Sequence, residues 1–294
     1  MANYQSRHRP RRHTTLAGKI KDNERYDRFY DMTCDATQRG QFPHLTLTTG
    51  RLVARVMKGP HDPRAIPPGS SMNTDNRFSG PRLDGRPGQG ALYVGTVAGV
   101  LREHAHYSLL PPPGALQKAA PLLWKPGATD RTNTFIQRQR AGAPPPDPAS
   151  KFYLLRVEHP LRFADLRVTS LAPFMSQLRA GGDGAKRYGI VSASLVDFQI
   201  AAASAPEDYS ASRGIADAVF DQRGVTSDAG VCAFSSRADM DSGIVLFSDD
   251  DPTGGLVFAI FGPDSSVVSA LRPIARDQTQ VGFDTYAELR GAIL

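Results

Sequence analysis

Apolar and polar positions recur along this chain with two periods, and the switches between them mark the expected elements. From Asn23 to Gln38, Tyr26, Phe29, Tyr30 and Cys34 fall at helical spacing, which predicts an amphipathic helix with a core-packing side. Arg51 to Met57 predicts a strand in which Leu52, Val53 and Val56 are apolar and Arg51 and Arg55 charged, without strict alternation. Ala91 to Val94 predicts a short apolar strand, and a helix from about Thr96 sets Val97, Val100, Leu101 and Ala105 on one face. KFYLLRVEHPLRFADLRV predicts two strands about a turn at His159 and Pro160, and a helix follows near Pro173 to Arg179. Ser212 to Gln222 predicts a helix with Ile215, Ala218 and Val219 inward and Gly224 as its stop. Strands are then expected at Val231 to Phe234, Ile244 to Phe247 and Leu256 to Phe261, and a last helix at Thr285 to Ile293.

Between these elements lie two stretches rich in turn formers. GPHDPRAIPPGSSMNTDN (59–76) reads as loop, and about Pro111 to Ser150 carries PPPG, KPGATD and APPPDP around Trp124, a long insertion. Strands and helices interleave too irregularly for a doubly wound parallel sheet. The expectation is therefore an α/β (α+β) protein: a mixed, twisted sheet with helices packed around it.

Composition adds a division along the chain. With 294 residues the protein is long enough to bury a substantial core. Its net charge of +6 is not spread evenly: Arg7, Arg9, Arg11, Arg12, Lys19 and Lys21 precede the first acid, Asp22. Removing those six from 35 bases leaves 29, against 29 acids. A neutral body with a basic, flexible tail over residues 1–22 follows, and residues 23–294 are expected to form one domain. The neutral body argues against a nucleic-acid-binding domain; only the tail has the charge for a polyanion. Two cysteines, Cys34 and Cys232, without CxxC or Cys/His spacing indicate neither a disulfide framework nor a metal site, and point to a reducing, cytoplasmic setting. No apolar leader region and no run near the roughly 18 apolar residues of a membrane span stands in the sequence. If exported, the protein would travel by a route without a signal peptide.

Candidate chemistry concentrates between Asn76 and Tyr107, NRFSGPRLDGRPGQGALYVGTVAGVLREHAHY. Arg77 stands at a turn, Tyr93 on the short strand, and Glu103 on the shoulder of the following helix, about 60° beyond Val100 at 100° per residue. Arginine, tyrosine and glutamate together suit an anionic ligand that carries a ring. GRPGQG precedes a strand, whereas phosphate-binding glycine loops lie between strand and helix, so a turn is expected there. His104 and His106, two apart on a helix, face different ways and make poor shared metal ligands, and Asp249, Asp250 and Asp251 read as a solvated loop. A GxSxG nucleophile elbow is absent, while Ser235 and Ser236 stand at the end of a predicted strand.

Taken in order, VARV with Arg55, NRFSGP with Arg77, ALYVG with Tyr93, LREH with Glu103, and VCAFSSR followed by IVLF resemble the RES-domain family, named for its arginine, glutamate and serine. The ten residues from Tyr93 to Glu103 fit the family's interval. The resemblance covers roughly residues 50–250. It departs from the family in Phe78 and Ser79, where Trp and Asn are usual after the arginine, and in the length of the proline-rich insertion. By position Arg55 matches the first family arginine, with Arg51 as the alternative register, and Arg77 the turn arginine. Ser235 fits the late SAR-like segment, while Ser210 and Ser212 compete for a serine placed before a helix.

The resemblance implies a fold like that of diphtheria-toxin-type ADP-ribosyltransferases, with NAD consumed as substrate and no metal. It implies a toxin or effector that cleaves the nicotinamide–ribose bond as a glycohydrolase or phosphorylase, or alternatively a protein ADP-ribosyltransferase, acting in the cytoplasm and paired with an antitoxin or immunity protein. Glu103, Arg55, Ser235 and Ser212 would then be catalytic, and Arg77, Tyr93 and Ser210 would bind NAD. A reading from another class is a non-enzymatic protein that binds polyanions through its basic arm.

Overall fold

The computed structural model describes residues 16–58, 62–64, 78–97, 99–100, 150–167, 170, 210–234, 255–261, 269–276 and 281–293. Helix α1 spans Leu16–Gln38, reaching into the segment expected to be tail. It stops where Gly40 takes a left-handed φ of 65°. There Gln41 N–H bonds the Ala36 carbonyl at 2.9 Å and Gly40 N–H that of Thr37 at 3.0 Å, so two otherwise orphaned carbonyls are satisfied.

Nine strands follow among the described residues: β1 (His44–Leu47), β2 (Leu52–Lys58), β3 (Ala91–Gly95), β4 (Ser150–Val157), β5 (Leu161–Asp165), β6 (Gly230–Phe234), β7 (Leu256–Phe261), β8 (Leu271–Pro273) and β9 (Gly282–Phe283). Helix α2 (Ser210–Thr226) lies between β5 and β6, and α3 (Tyr286–Gly291) follows β9. The strands form one sheet in the order β1-β5-β6-β7-β3-β2-β4-β8, with β9 also on β4. Among these pairings β5/β6 is parallel and the others antiparallel, so the sheet is mixed, as expected.

One register explains how this sheet curls. His44–Leu47 pair with Ala164–Leu161, and Leu52–Lys58 pair with Arg156–Ser150, in the same uninterrupted count across the gap. The two chain segments are thus one antiparallel ribbon bent at its middle, where Gly50 N–H bonds the Val157 carbonyl at 2.7 Å and Val157 N–H the Arg51 carbonyl at 2.9 Å. One arm of the ribbon pairs with β6, the other with β3, and β7 joins those two, so the sheet bends round on itself. The two strands about His159 and Pro160 exist as expected, but each pairs with other partners rather than with the other.

Alternation then sorts side chains onto two faces. The inner face carries Leu47, Val53, Leu92, Val94, Leu155, Phe163, Cys232, Phe258 and Ile260, all buried, with Phe163 and Phe258 at 5.0 Å between ring centroids. The outer face is covered twice. Ala91, Val231, Ala233, Ala259 and Phe261 pack with Met32, Ala36, Ile215 and Val219 of α1 and α2, and Ala54, Phe152 and Leu154 pack with Tyr286 and Leu289 of α3. Gly214 of α2 sits directly against the Tyr26 carbonyl of α1, leaving no room for a Cβ. Helix α2 runs past the expected stop at Gly224 to Thr226. It ends with Ser227 at φ 59°, whose N–H bonds the Arg223 carbonyl at 2.9 Å. The expected strand at Ile244 to Phe247 and helix at Pro173 to Arg179 lie outside the described residues. Among the described residues no helix is long and apolar enough to cross a membrane.

Candidate functional site

Strand β3 organises the part of the candidate site that is described. Tyr93 points to the outer face, and its phenolic oxygen accepts the Phe78 N–H at 3.1 Å and lies 3.1 Å from Ser79 Oγ. Phe78 follows Arg77 directly, so the strand tyrosine holds the backbone next to the turn arginine. The turn is tied a second time by the bridge between Gly80 and Gln89. At its far end β3 runs into Thr96, whose Oγ accepts Gly99 N–H at 3.2 Å while Val100 N–H bonds the Thr96 carbonyl at 2.9 Å. Thr96 is thus the N-cap of the helix expected there. Thr96 Oγ also accepts Leu256 N–H at 2.9 Å, which locks that helix start to β7. Arg77, Glu103, Ser235, His104, His106 and the Asp249 to Asp251 run lie outside the described residues.

Arg55 stands elsewhere. On β2 it shares the inner face with Val53, opposite the face of Ala54, and Ala54 is the residue that pairs with Gly95 on β3. Tyr93 is on the face of Gly95, so Arg55 and Tyr93 emerge on opposite sides of the sheet. The Arg55 guanidinium is buried and donates to the Pro63 carbonyl at 3.1 Å. Burial pulls its pKa down to about 10, against the opposing influence of Asp62. Asp62 itself pairs with Arg64 at 2.9 Å. Arg51, the alternative register, precedes β2 at the ribbon's bend. Ser210 and Ser212 are both buried in the first turn of α2, which places them on the helix that packs against α1.

A second constellation, unforeseen as a group, lies between α1, α2 and the turn before β3. Tyr26 and Tyr30, four apart on α1, donate hydroxyl protons to Asp217 and Asp221, four apart on α2, at 2.7 and 2.6 Å. The matched spacing requires the two helices to run parallel. Into this row reaches Arg82, with its guanidinium on Asp84 at 2.8 Å and on Asp221 at 2.9 Å, and 3.9 Å from Asp217. Arg86 completes the set with Asp221 at 2.8 Å, its guanidinium 5.3 Å from the Tyr30 ring centre. Gln89 Nε2 donates to Asp217 Oδ1 at 2.9 Å, while Gln89 Oε1 is buried without a hydrogen-bond donor among the described residues.

The charges in this row are not equivalent. Burial pushes the Asp217 carboxyl up to about 6, with Asp84 and Asp221 adding to the rise and Tyr26 and Arg82 opposing it. Burial and Asp217 also raise the Tyr26 phenol. Despite their own partial burial, Asp84 and Asp221 are held below the ordinary carboxylate range by hydrogen bonds from Arg82, joined by Arg86 and Tyr30 respectively. The sequence carried a signal for this row: two pairs at helical spacing, and the alternating Arg82, Asp84 and Arg86 of the turn. What it lacked was the pairing of segments almost two hundred residues apart.

Among the described residues no group of three His, Cys, Asp or Glu side chains has the arrangement of a metal site, and Cys34 and Cys232 are free thiols. No family model, no curated protein and no solved structure matches the chain.

Proposed function

We propose that the chain cleaves the nicotinamide–ribose bond of NAD, in the manner implied by its resemblance to the RES-domain family and to the ADP-ribosyltransferase fold. The observation that best supports this reading is the bonding of the Tyr93 hydroxyl to Phe78 and Ser79. It fixes the backbone that follows Arg77 in sequence to the strand tyrosine, and the Thr96 cap fixes where the helix toward Glu103 begins. Tyr93 stands on β3, and the described chain to either side of it is fixed on the way toward Arg77 and toward Glu103.

In the proposed reaction the C–N bond to nicotinamide breaks and its electron pair leaves with the ring, neutralising the pyridinium. Positive charge appears on the ribose, and the acceptor oxygen attacks there and gives up its proton. Glu103 supplies the carboxylate whose attraction grows as that charge develops. Arg77 pairs with the pyrophosphate through its planar fork. Tyr93 packs beside the nicotinamide or ribose, and a serine among Ser210, Ser212 and Ser235 holds the carboxamide or a ribose hydroxyl. Arg55, on the opposite face and bonded to Pro63, is best placed to hold the connection that delivers Arg77, a positioning role.

Purified protein incubated with NAD tests this reading by nicotinamide release, and product mass distinguishes water, phosphate and protein acceptors. Glu103→Ala should lower the rate on the order of 10²- to 10³-fold with the fold intact. A folded Glu103→Ala protein that released nicotinamide at the wild-type rate would overturn the assignment.

A further inference from the structure

Two arginines face each other across the outer edge of the sheet. Arg156 of β4 and Arg272 of β8 are direct partners in the antiparallel ladder, and both are exposed. Side chains at such positions start about 5 Å apart, and like charges there repel. Among the described residues neither guanidinium has an ion pair or hydrogen bond, whereas Arg64, Arg82, Arg86, Arg162, Arg167 and Arg276 each meet a carboxylate. The pair also shares a concavity. With Pro273, Ile274 and Ala275 the two residues line an open depression of about 270 Å³.

Protection of a sheet edge accounts for a charge on β8, the outer strand. It does not account for a second like charge opposite it on β4, which lies between β2 and β8. An oxyanion seated between the two guanidinium groups removes the repulsion and accepts hydrogen bonds from both planar forks. We propose that Arg156 and Arg272 form a binding site for a phosphate group, of the pyrophosphate or phosphomonoester class. The site is independent of the NAD-cleaving reading, since it lies at the β8 edge of the sheet, with β2 and β4 between it and the interior strand β3, and uses none of that reading's residues.

Calorimetric titration of the full chain with inorganic pyrophosphate, and separately with a nucleoside monophosphate, at fixed ionic strength tests the proposal. One saturable site is expected in the Arg77→Gln protein, which lacks the arginine proposed to hold the pyrophosphate of NAD, and it is weakened about tenfold or more when Arg156→Gln or Arg272→Gln is added. The arm that binds more tightly identifies a free or an esterified phosphate as the natural form. Thermal unfolding adds a readout that opposes simple loss of structure. In phosphate-free buffer Arg272→Gln should melt above the wild type, and pyrophosphate should raise the melting temperature of the Arg77→Gln protein but not once Arg156→Gln and Arg272→Gln are added to it. Nicotinamide release should be unchanged by Arg156→Gln and Arg272→Gln together when Arg77 is intact. No saturable binding of either probe in the Arg77→Gln protein, or binding there that survives the addition of both Arg156→Gln and Arg272→Gln, overturns the proposal.

Discussion

The inner face of the curled sheet and the buried centre of the charged row under α1 are held together by opposite means. Phe258, Phe163, Val53 and Leu155 need only be apolar and fill space, because hydrophobic attraction has no direction. Tyr26, Arg82, Gln89 and Asp217 each need a particular partner at a particular distance, because a buried polar group without one is costly. The first region therefore tolerates exchange of one hydrocarbon shape for another, and the second tolerates removal of whole pairs better than removal of single members.

The largest test of that contrast is on the apolar side. Phe258 is 0% exposed, and Phe258→Ala should cost about 3–5 kcal/mol by urea unfolding, from lost transfer energy and the cavity left behind. A loss below about 1 kcal/mol would mean that the inner face is not closely packed. Next comes Arg82→Ala, which leaves the buried Asp217 without its cation and Asp84 and Asp221 to Arg86 alone, and should cost about 3 kcal/mol. Because the same change loosens α1 from α2, limited proteolysis should cut first within α1; cutting unchanged from wild type would show that the apolar contacts hold the helix alone.

The smallest effect is the most specific. With Asp217 raised from 3.8 to about 6, the folded chain holds a proton that the unfolded chain gives up. Its contribution to stability is therefore full below about pH 4 and is lost as pH rises to about 6. Asp84 and Asp221, shifted the other way, add stability above their ordinary range that is lost on further acidification. Wild-type stability should thus pass through a maximum near pH 4 to 5. Asp217→Asn, with no proton to exchange, should be flat from pH 5 to 7 in urea midpoints. An equal slope in both proteins would remove Asp217 as the titrating group.

Much of the first region was legible in the sequence, and little of the second. Leu256 to Phe261 and Ala91 to Val94 were readable because a strand buried on both faces must be apolar throughout, and helix α2 because Ile215, Ala218 and Val219 keep the helical period. The same period placed Tyr26 and Tyr30 on a packing face, which is correct for their rings and silent about their hydroxyls. Gly224 was the natural stopping residue for α2, yet the helix runs one turn fraction further, since Ser227 adopts the left-handed conformation itself. Of the candidate site, the order Arg77, Tyr93, Glu103 was visible along the chain. That Arg55 and Tyr93 face apart was not, because it depends on which residue of β2 meets Gly95.

The bent ribbon has a consequence for how this protein can vary. Lys58 and Ser150 are partners, so everything from residue 59 to 149 leaves the frame and returns at neighbouring points, like a clause set in parentheses. Arg77, Tyr93 and Glu103 all belong to that clause, and among its described residues β3 and Thr96 fasten it to the rest of the sheet. Lengthening or shortening the proline-rich stretch before Ser150 leaves every pairing of the outer sentence in register, at an entropic expense that grows only with the logarithm of the length. Related chains should therefore differ most in length there, while the number of residues between Tyr93 and Glu103 stays constant.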